Sequence, residues 1–171
     1  MTAGGTGGAT DSLSSAFDRA LEQRSGITAP SQYALLAQRY MHEYDVTERD
    51  LAAIAVKNHA NATGNPRAQF RSEVDLGTVL DSDYVAPPLK LFDCAPVSDG
   101  AAAVLVTSEE VAADLADETV SVTGSASATH NIAVAERNLT FPAGAAAAAE
   151  RTFEQAGVGP EDVDVAEVHD A

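Results

Sequence analysis

The sequence predicts an α/β fold with strands that pair at least partly in parallel. Three observations carry this. A glycine leads into a continuous run of small apolar residues at 102–106. Helix-period segments alternate with such runs along the second half of the chain. An alanine-rich helix, opened by Pro142 and closed by Gly157, leads into a final apolar–acidic alternation at 163–168. Strand–helix–strand order of this kind builds layered α/β domains. A run that is apolar on both faces suits a strand covered on both sides. The chain has 171 residues, enough for one sizeable core or two small domains.

Taken in order, the opening Gly/Thr/Ser stretch reads as loop. Asp11 caps a short helix with Leu13, Phe17 and Leu21 on one face and Gly26 at its end. A stronger helix starts at Pro30, with Tyr33, Leu36, Ala37, Tyr40 and Met41 spaced as one buried stripe. In "VTERD", Thr47 is an N-cap answered by Asp50, and Leu51, Ile54 and Ala55 continue a helix towards Lys57, Asn58 and His59. The stretch 61–89 is broken by Asn, Gly and Pro and reads as an irregular excursion with a short helix near 76–80. Ser108 caps a helix carrying Val111, Ala112 and Leu115, and residues 120–125 read as the next strand. The alanines at 145–149 favour helix and allow close approach to a sheet.

Charge narrows the function classes. There are 26 acidic against 10 basic residues, a net charge of -16, and the only lysines are Lys57 and Lys90. Such a surface repels nucleic acid, whose phosphates need Lys or Arg to neutralise them. The acids are scattered through periodic segments, which is a solvated coat and not an acidic tail. High salt screens the self-repulsion of such a coat, so a halophilic source fits; an ordinary acidic protein is the other reading. No apolar run is long enough to span a membrane, and the start has neither a basic nor an apolar signal region. A cytoplasmic chain is expected. The single cysteine, Cys94, cannot form an internal disulfide, and the four histidines show no metal-site spacing, so no metal is expected.

Three phrases in order, "QRYMHEYDVTERDLAAIAVKNHANATGNPRAQF", "PLKLFDCAPVSDGAAAVLVTS" and "AGVGPEDVDVAEVHDA", resemble the thiolase family, and within it the archaeal sterol-carrier-protein type of acetyl-CoA acetyltransferase. The resemblance runs from about residue 27 to the end. It implies a layered αβαβα fold, incomplete here: the inserted loop domain plus parts of both halves. Residues 1–118 would be the C-terminal part of the first half with the loop domain, and residues 119–171 the start of the second half. The resemblance also implies acyl transfer between coenzyme A thioesters by Claisen condensation or thiolysis. The nucleophilic cysteine would fall upstream of Met1, so the chain reads as a central fragment, inactive alone. The other reading is a non-catalytic truncated subunit that binds acyl-CoA or a complementary thiolase polypeptide.

For individual residues, the resemblance places "HDA" on the family's His-Asp-Cys/Ala-Phe motif, so His169 would be an oxyanion-hole donor and Asp170 a support for that loop. A histidine fraying at a chain end is the competing reading of His169. Cys94 matches a structural cysteine, and Ala95 stands where relatives often carry serine. His59 reads as structural, or as lying near the acyl-CoA pocket. Arg67 and Arg71 are candidates for the coenzyme A phosphates, or for surface ion pairs with nearby acids. No bound cofactor is implied, coenzyme A thioester being the substrate. The expected partners are acyl-CoA, a second copy or a complementary thiolase segment, and a small OB-fold zinc-ribbon protein; nucleic acid and membrane are not expected.

Overall fold

The computed structural model describes residues 13–169. The expectations for Asp11, Asp170 and the opening loop lie outside the described residues. The chain forms two compact units, each drawn from two stretches: residues up to Pro96 with Asn131–Phe141, and Val97–His130 with the residues from Pro142 onward.

In the first unit the predicted helix over Leu13, Phe17 and Leu21 is not continuous. Residues 13–14 are helical, turns and a bend follow over 15–22, and a 3-10 turn at Gln23–Ser25 is closed by left-handed Gly26. The cause is Asp18. Its carboxylate accepts the N–H groups of Ala20 (2.9 Å) and Leu21 (2.8 Å), which competes with helical pairing. Phe17 is buried, whereas Leu13 and Leu21 stay exposed.

Helix α1 spans Ala29–Tyr44, with Thr28 as N-cap and Pro30 in its first turn. It ends at Asp45, which adopts φ 54. The predicted stripe is only half covered: Tyr33, Leu36, Ala37 and Met41 are partly buried and Tyr40 is exposed. The covered residues are instead Gln32 and Ala34. Gln32 is drawn inward because its amide donates to the buried carboxylate of Glu22 (3.1 Å).

Helix α2 spans Glu48–Ala62 and starts as predicted. The Asp50 carboxylate accepts from the Thr47 N–H (2.8 Å) and hydroxyl (2.7 Å). Its buried face is Ala52 and Ala55, small enough to let α3 (Leu76–Leu80) approach, while Ile54 faces out. Asp75 caps α3 by accepting the Thr78 N–H (2.7 Å). Ala52, Ala55 and fully covered Val79 form a core joined by Val56, Val74, Leu76, Leu80 and Phe92.

A hairpin follows that the irregular reading of 61–89 missed. Strands β1 (Tyr84–Ala86) and β2 (Leu89–Lys90) pair antiparallel, Tyr84 opposite Lys90, around Pro87–Pro88 with its cis peptide bond. Lys90 clamps this hairpin to the start of α2. Its buried ammonium lies 3.7 Å from Glu48 Oε2 and 3.7 Å from the centroid of the Tyr84 ring. The Tyr84 hydroxyl donates to Glu48 at 2.8 Å. The stretch 131–141 joins this unit through Glu22, which accepts the Val134 N–H (2.7 Å), and through Thr140, whose hydroxyl donates to Glu43 (2.8 Å).

In the second unit, Ser108 caps α4 (Glu109–Leu115), and α5 spans Ala143–Ala156 with Pro142 at its start and left-handed Gly157 at its end, as predicted. The segment before residue 131 lies close along α5. The Ser125 N–H donates to Gln155 (2.9 Å) and Arg151 donates to the Ser127 carbonyl (3.2 Å). A Cβ on Gly124 would sit 2.5 Å from the Thr152 carbonyl oxygen, so no larger residue fits at that contact. The strands predicted at 102–106, 120–125 and 163–168 do not form. Those segments carry no ladder, and Val104 (88%), Leu105 (80%), Val120 (97%) and Val165 (80%) are exposed. A strand apolar on both faces persists only between neighbouring strands, and among the described residues no strand pairs with them.

Candidate functional site

Arg67 and Arg71 lie in the first unit, on the segment that leaves the C-terminus of α2. Both are exposed. Asn65 shapes the turn that presents Arg67, its side-chain oxygen accepting the Arg67 N–H at 2.9 Å. Neither guanidinium has an ion-pair or hydrogen-bond partner among the described residues. Among the described residues, neither arginine makes the surface ion pairs considered for it.

His59, on the last turns of α2, is partly buried. Its Nδ1 is 3.0 Å from the Ser72 carbonyl oxygen. A carbonyl only accepts, so Nδ1 carries the proton. The ring stacks on Phe70 with centroids 6.4 Å apart and meets Phe92 edge-on at 5.7 Å. Structurally, His59 joins the arginine-bearing segment to the core.

Cys94 follows the 3-10 turn Leu91–Asp93 and is a free, partly buried thiol. Burial pushes its pKa up, and the neighbouring Asp93 charge pushes the same way. This is the reverse of the environment that makes a thiolate nucleophile. His169 lies in the second unit and is exposed. Among the described residues no group of three or more His, Cys, Asp or Glu side chains is placed to hold a metal ion.

Sequence reasoning missed two features. One is the buried carboxylate of Glu22, which no spacing signals. The other is a broad surface cavity of about 720 Å³ in the first unit, bordered by Arg39, Glu43, Tyr44, Arg137, Asn138 and Thr140. Arg39 is spent on Glu43, whose carboxyl is held below the usual range by Arg39 first and Thr140 second. None of Arg67, Arg71 and His169 lines this cavity.

Comparison with known proteins places these features in a class. Residues 6–110 match the profile of the thiolase N-terminal domain, and residues 124–171 match the thiolase C-terminal domain-like profile. The chain belongs to the thiolase family, and its α/β fold is an incomplete version of the thiolase-like one. It is 43% identical over 162 residues to an acetyl-CoA acetyltransferase of Methanothermobacter thermautotrophicus, covering 94% of this chain and 42% of the relative. It is 44% identical over 165 residues to the acetyl-CoA acetyltransferase of Methanocaldococcus jannaschii, covering 95% and 42%. Among solved structures it is similar to an Ltp2-ChsH2(DUF35) aldolase, with TM-score 0.74 and 26% identity over 86% of this chain and 42% of that one. The chain thus spans less than half the length of these relatives. No described helix is long and apolar enough to cross a membrane.

Proposed function

We propose that this chain is the coenzyme A-handling part of a thiolase-type acyltransferase, acting on acyl-CoA thioesters. The observation that carries the reading is its identity, above 40%, to two acetyl-CoA acetyltransferases along nearly the whole chain. In this reading Arg67 and Arg71 take the coenzyme A phosphates; their exposed guanidinium groups, unpaired among the described residues, support it. His169 donates a hydrogen bond to the thioester oxygen as enolate charge develops there. A preplaced donor of this kind is worth about 3–4 kcal/mol in the transition state. The domain boundary falls near residue 118.

Claisen condensation or thiolysis also needs a sulfur nucleophile. Cys94 is the chain's one cysteine, and its raised pKa argues against that role. The attacking sulfur then comes from a complementary thiolase segment. An OB-fold zinc-ribbon partner is a further proposal, and the similar aldolase, named jointly for Ltp2 and ChsH2(DUF35), supports looking for an associated protein. The same thiol environment favours a second reading: a non-catalytic subunit that binds acyl-CoA or the complementary polypeptide. The acidic coat supports a halophilic setting for either.

Calorimetric titration with coenzyme A and an acetoacetyl-CoA cleavage assay test the proposal. Binding without turnover by the chain alone is expected, with turnover on adding the complementary thiolase segment. Turnover by the chain alone would overturn the assignment of the nucleophile to another segment. No turnover in the reconstituted mixture favours the non-catalytic reading.

A further inference from the structure

We infer that His59 is a positioning residue for Arg71, and that it sets coenzyme A affinity without touching the ligand. The inference rests on the reading of Arg71 as a phosphate ligand. Its structural basis is independent of that reading. Arg71 is bracketed in sequence by two residues, and His59 grips both. The Phe70 ring stacks on the imidazole, and the Ser72 carbonyl accepts the Nδ1 proton at 3.0 Å. On its other side the imidazole meets Phe92, which packs against the core of Ala52, Ala55 and Val79. A continuous path therefore runs from the core through His59 to the backbone on either side of Arg71. The segment has no regular structure of its own between α2 and α3. Without the imidazole, residues 70–72 lose these contacts, and the guanidinium must be ordered afresh each time a phosphate binds. Ordering a flexible segment at the moment of binding weakens affinity even when every ligand contact is retained.

The test uses the full chain and coenzyme A. His59→Phe keeps a ring against Phe70 and Phe92 but loses the N–H. His59→Asn supplies an amide N–H without the ring. Relaxation measurements report order in the unliganded chain: in His59→Phe the backbone order parameters at Phe70–Ser72 should fall below about 0.6, with α2 unchanged. Calorimetry should show His59→Phe binding coenzyme A about fivefold more weakly, with His59→Asn recovering part of the loss. In an Arg71→Ala background the His59→Phe change should cost nothing further, because the group it positions is gone. Equal losses in the two backgrounds, or unchanged order at residues 70–72, would overturn the inference. Coenzyme A binding that is indifferent to Arg67→Ala and Arg71→Ala defeats the phosphate reading instead; the hold of His59 on the segment is then decided by the order parameters.

Discussion

Removing the Glu22 carboxylate should release the stretch 131–141 from the first unit. Glu22 is 5% exposed and accepts three hydrogen bonds: from the Asp18 N–H (3.0 Å), the Gln32 amide (3.1 Å) and the Val134 N–H (2.7 Å). The bond to Val134 joins residues 112 apart in sequence. Glu22→Ala strands the buried Gln32 amide and the Val134 N–H, at about 1–3 kcal/mol for each orphaned group. It also lifts the cost of holding a carboxylate out of water, which offsets part of that loss. The net expectation is about 3 kcal/mol for Glu22→Ala, and roughly half that for Glu22→Gln, which keeps one acceptor oxygen. Domains are stable by about 5–15 kcal/mol, so the alanine variant should remain measurable. Urea unfolding in high salt reads the change as a lower midpoint at constant slope. Hydrogen exchange at the Val134 amide should accelerate more than exchange along α2. A loss under about 1 kcal/mol, or unchanged exchange at Val134, would refute the account of this carboxylate as the tie.

Three other outcomes follow from the same structure. Cys94 should react with iodoacetamide at pH 8 more slowly than a free thiol, because burial and Asp93 both disfavour its thiolate; faster reaction would contradict the geometry. The Asp75 carboxyl is held below its ordinary range, chiefly by the Thr78 N–H. Its folded pKa lies under its unfolded one, so its contribution is present above the unfolded carboxylate range and lost as pH falls through the folded value. Asp75→Asn keeps the cap, and its urea midpoint should fall less on acidification than that of the wild type; an identical acid slope would exclude this role. The exposed apolar runs around Val104, Leu105 and Val120 should make the chain self-associate, as light scattering can detect, and Val104→Asp should reduce it. A sharp, monomeric two-state melt of the wild type in low salt would argue against that.

Local chemistry was legible in the sequence. Thr47 with Asp50, Ser108, and Pro142 with Gly157 each act within one turn of chain, and each marks a helix end where expected. The short helix at Leu76–Leu80 was readable for the same reason. What could not be read depends on side-chain bonds that apolar spacing does not announce. Asp18 diverts two N–H groups from a helix that apolar spacing supports, and Glu22 pulls Gln32 into a position that the stripe of α1 assigns to tyrosine and leucine. The Lys90 clamp needs Glu48 and Tyr84 to meet from two other elements. No spacing rule encodes that meeting.

The apolar runs show the same limit from the other side. Residues 102–106 carry every sequence mark of a buried strand, and Val104 and Leu105 are nonetheless in water. Burying one such side chain is worth about 1.5–3 kcal/mol. The pattern records an environment that the described residues do not supply. Arg67 and Arg71 are comparable in polar terms: two guanidinium groups without a partner among the described residues, in a chain of net charge -16. Acids outnumber them many times over, yet neither is paired among the described residues. Long-range attraction in such a chain should readily neutralise a cation on a mobile stem, unless the backbone holds it away from carboxylates. The grip of His59 on Phe70 and Ser72 is the restraint that can do so for Arg71. If it does, replacing His59 by alanine should let Arg71 collapse onto a neighbouring carboxylate. NMR titration would then show that carboxylate's pKa falling, whereas unchanged carboxylates along 67–75 would mean the arginine stays open for some other reason.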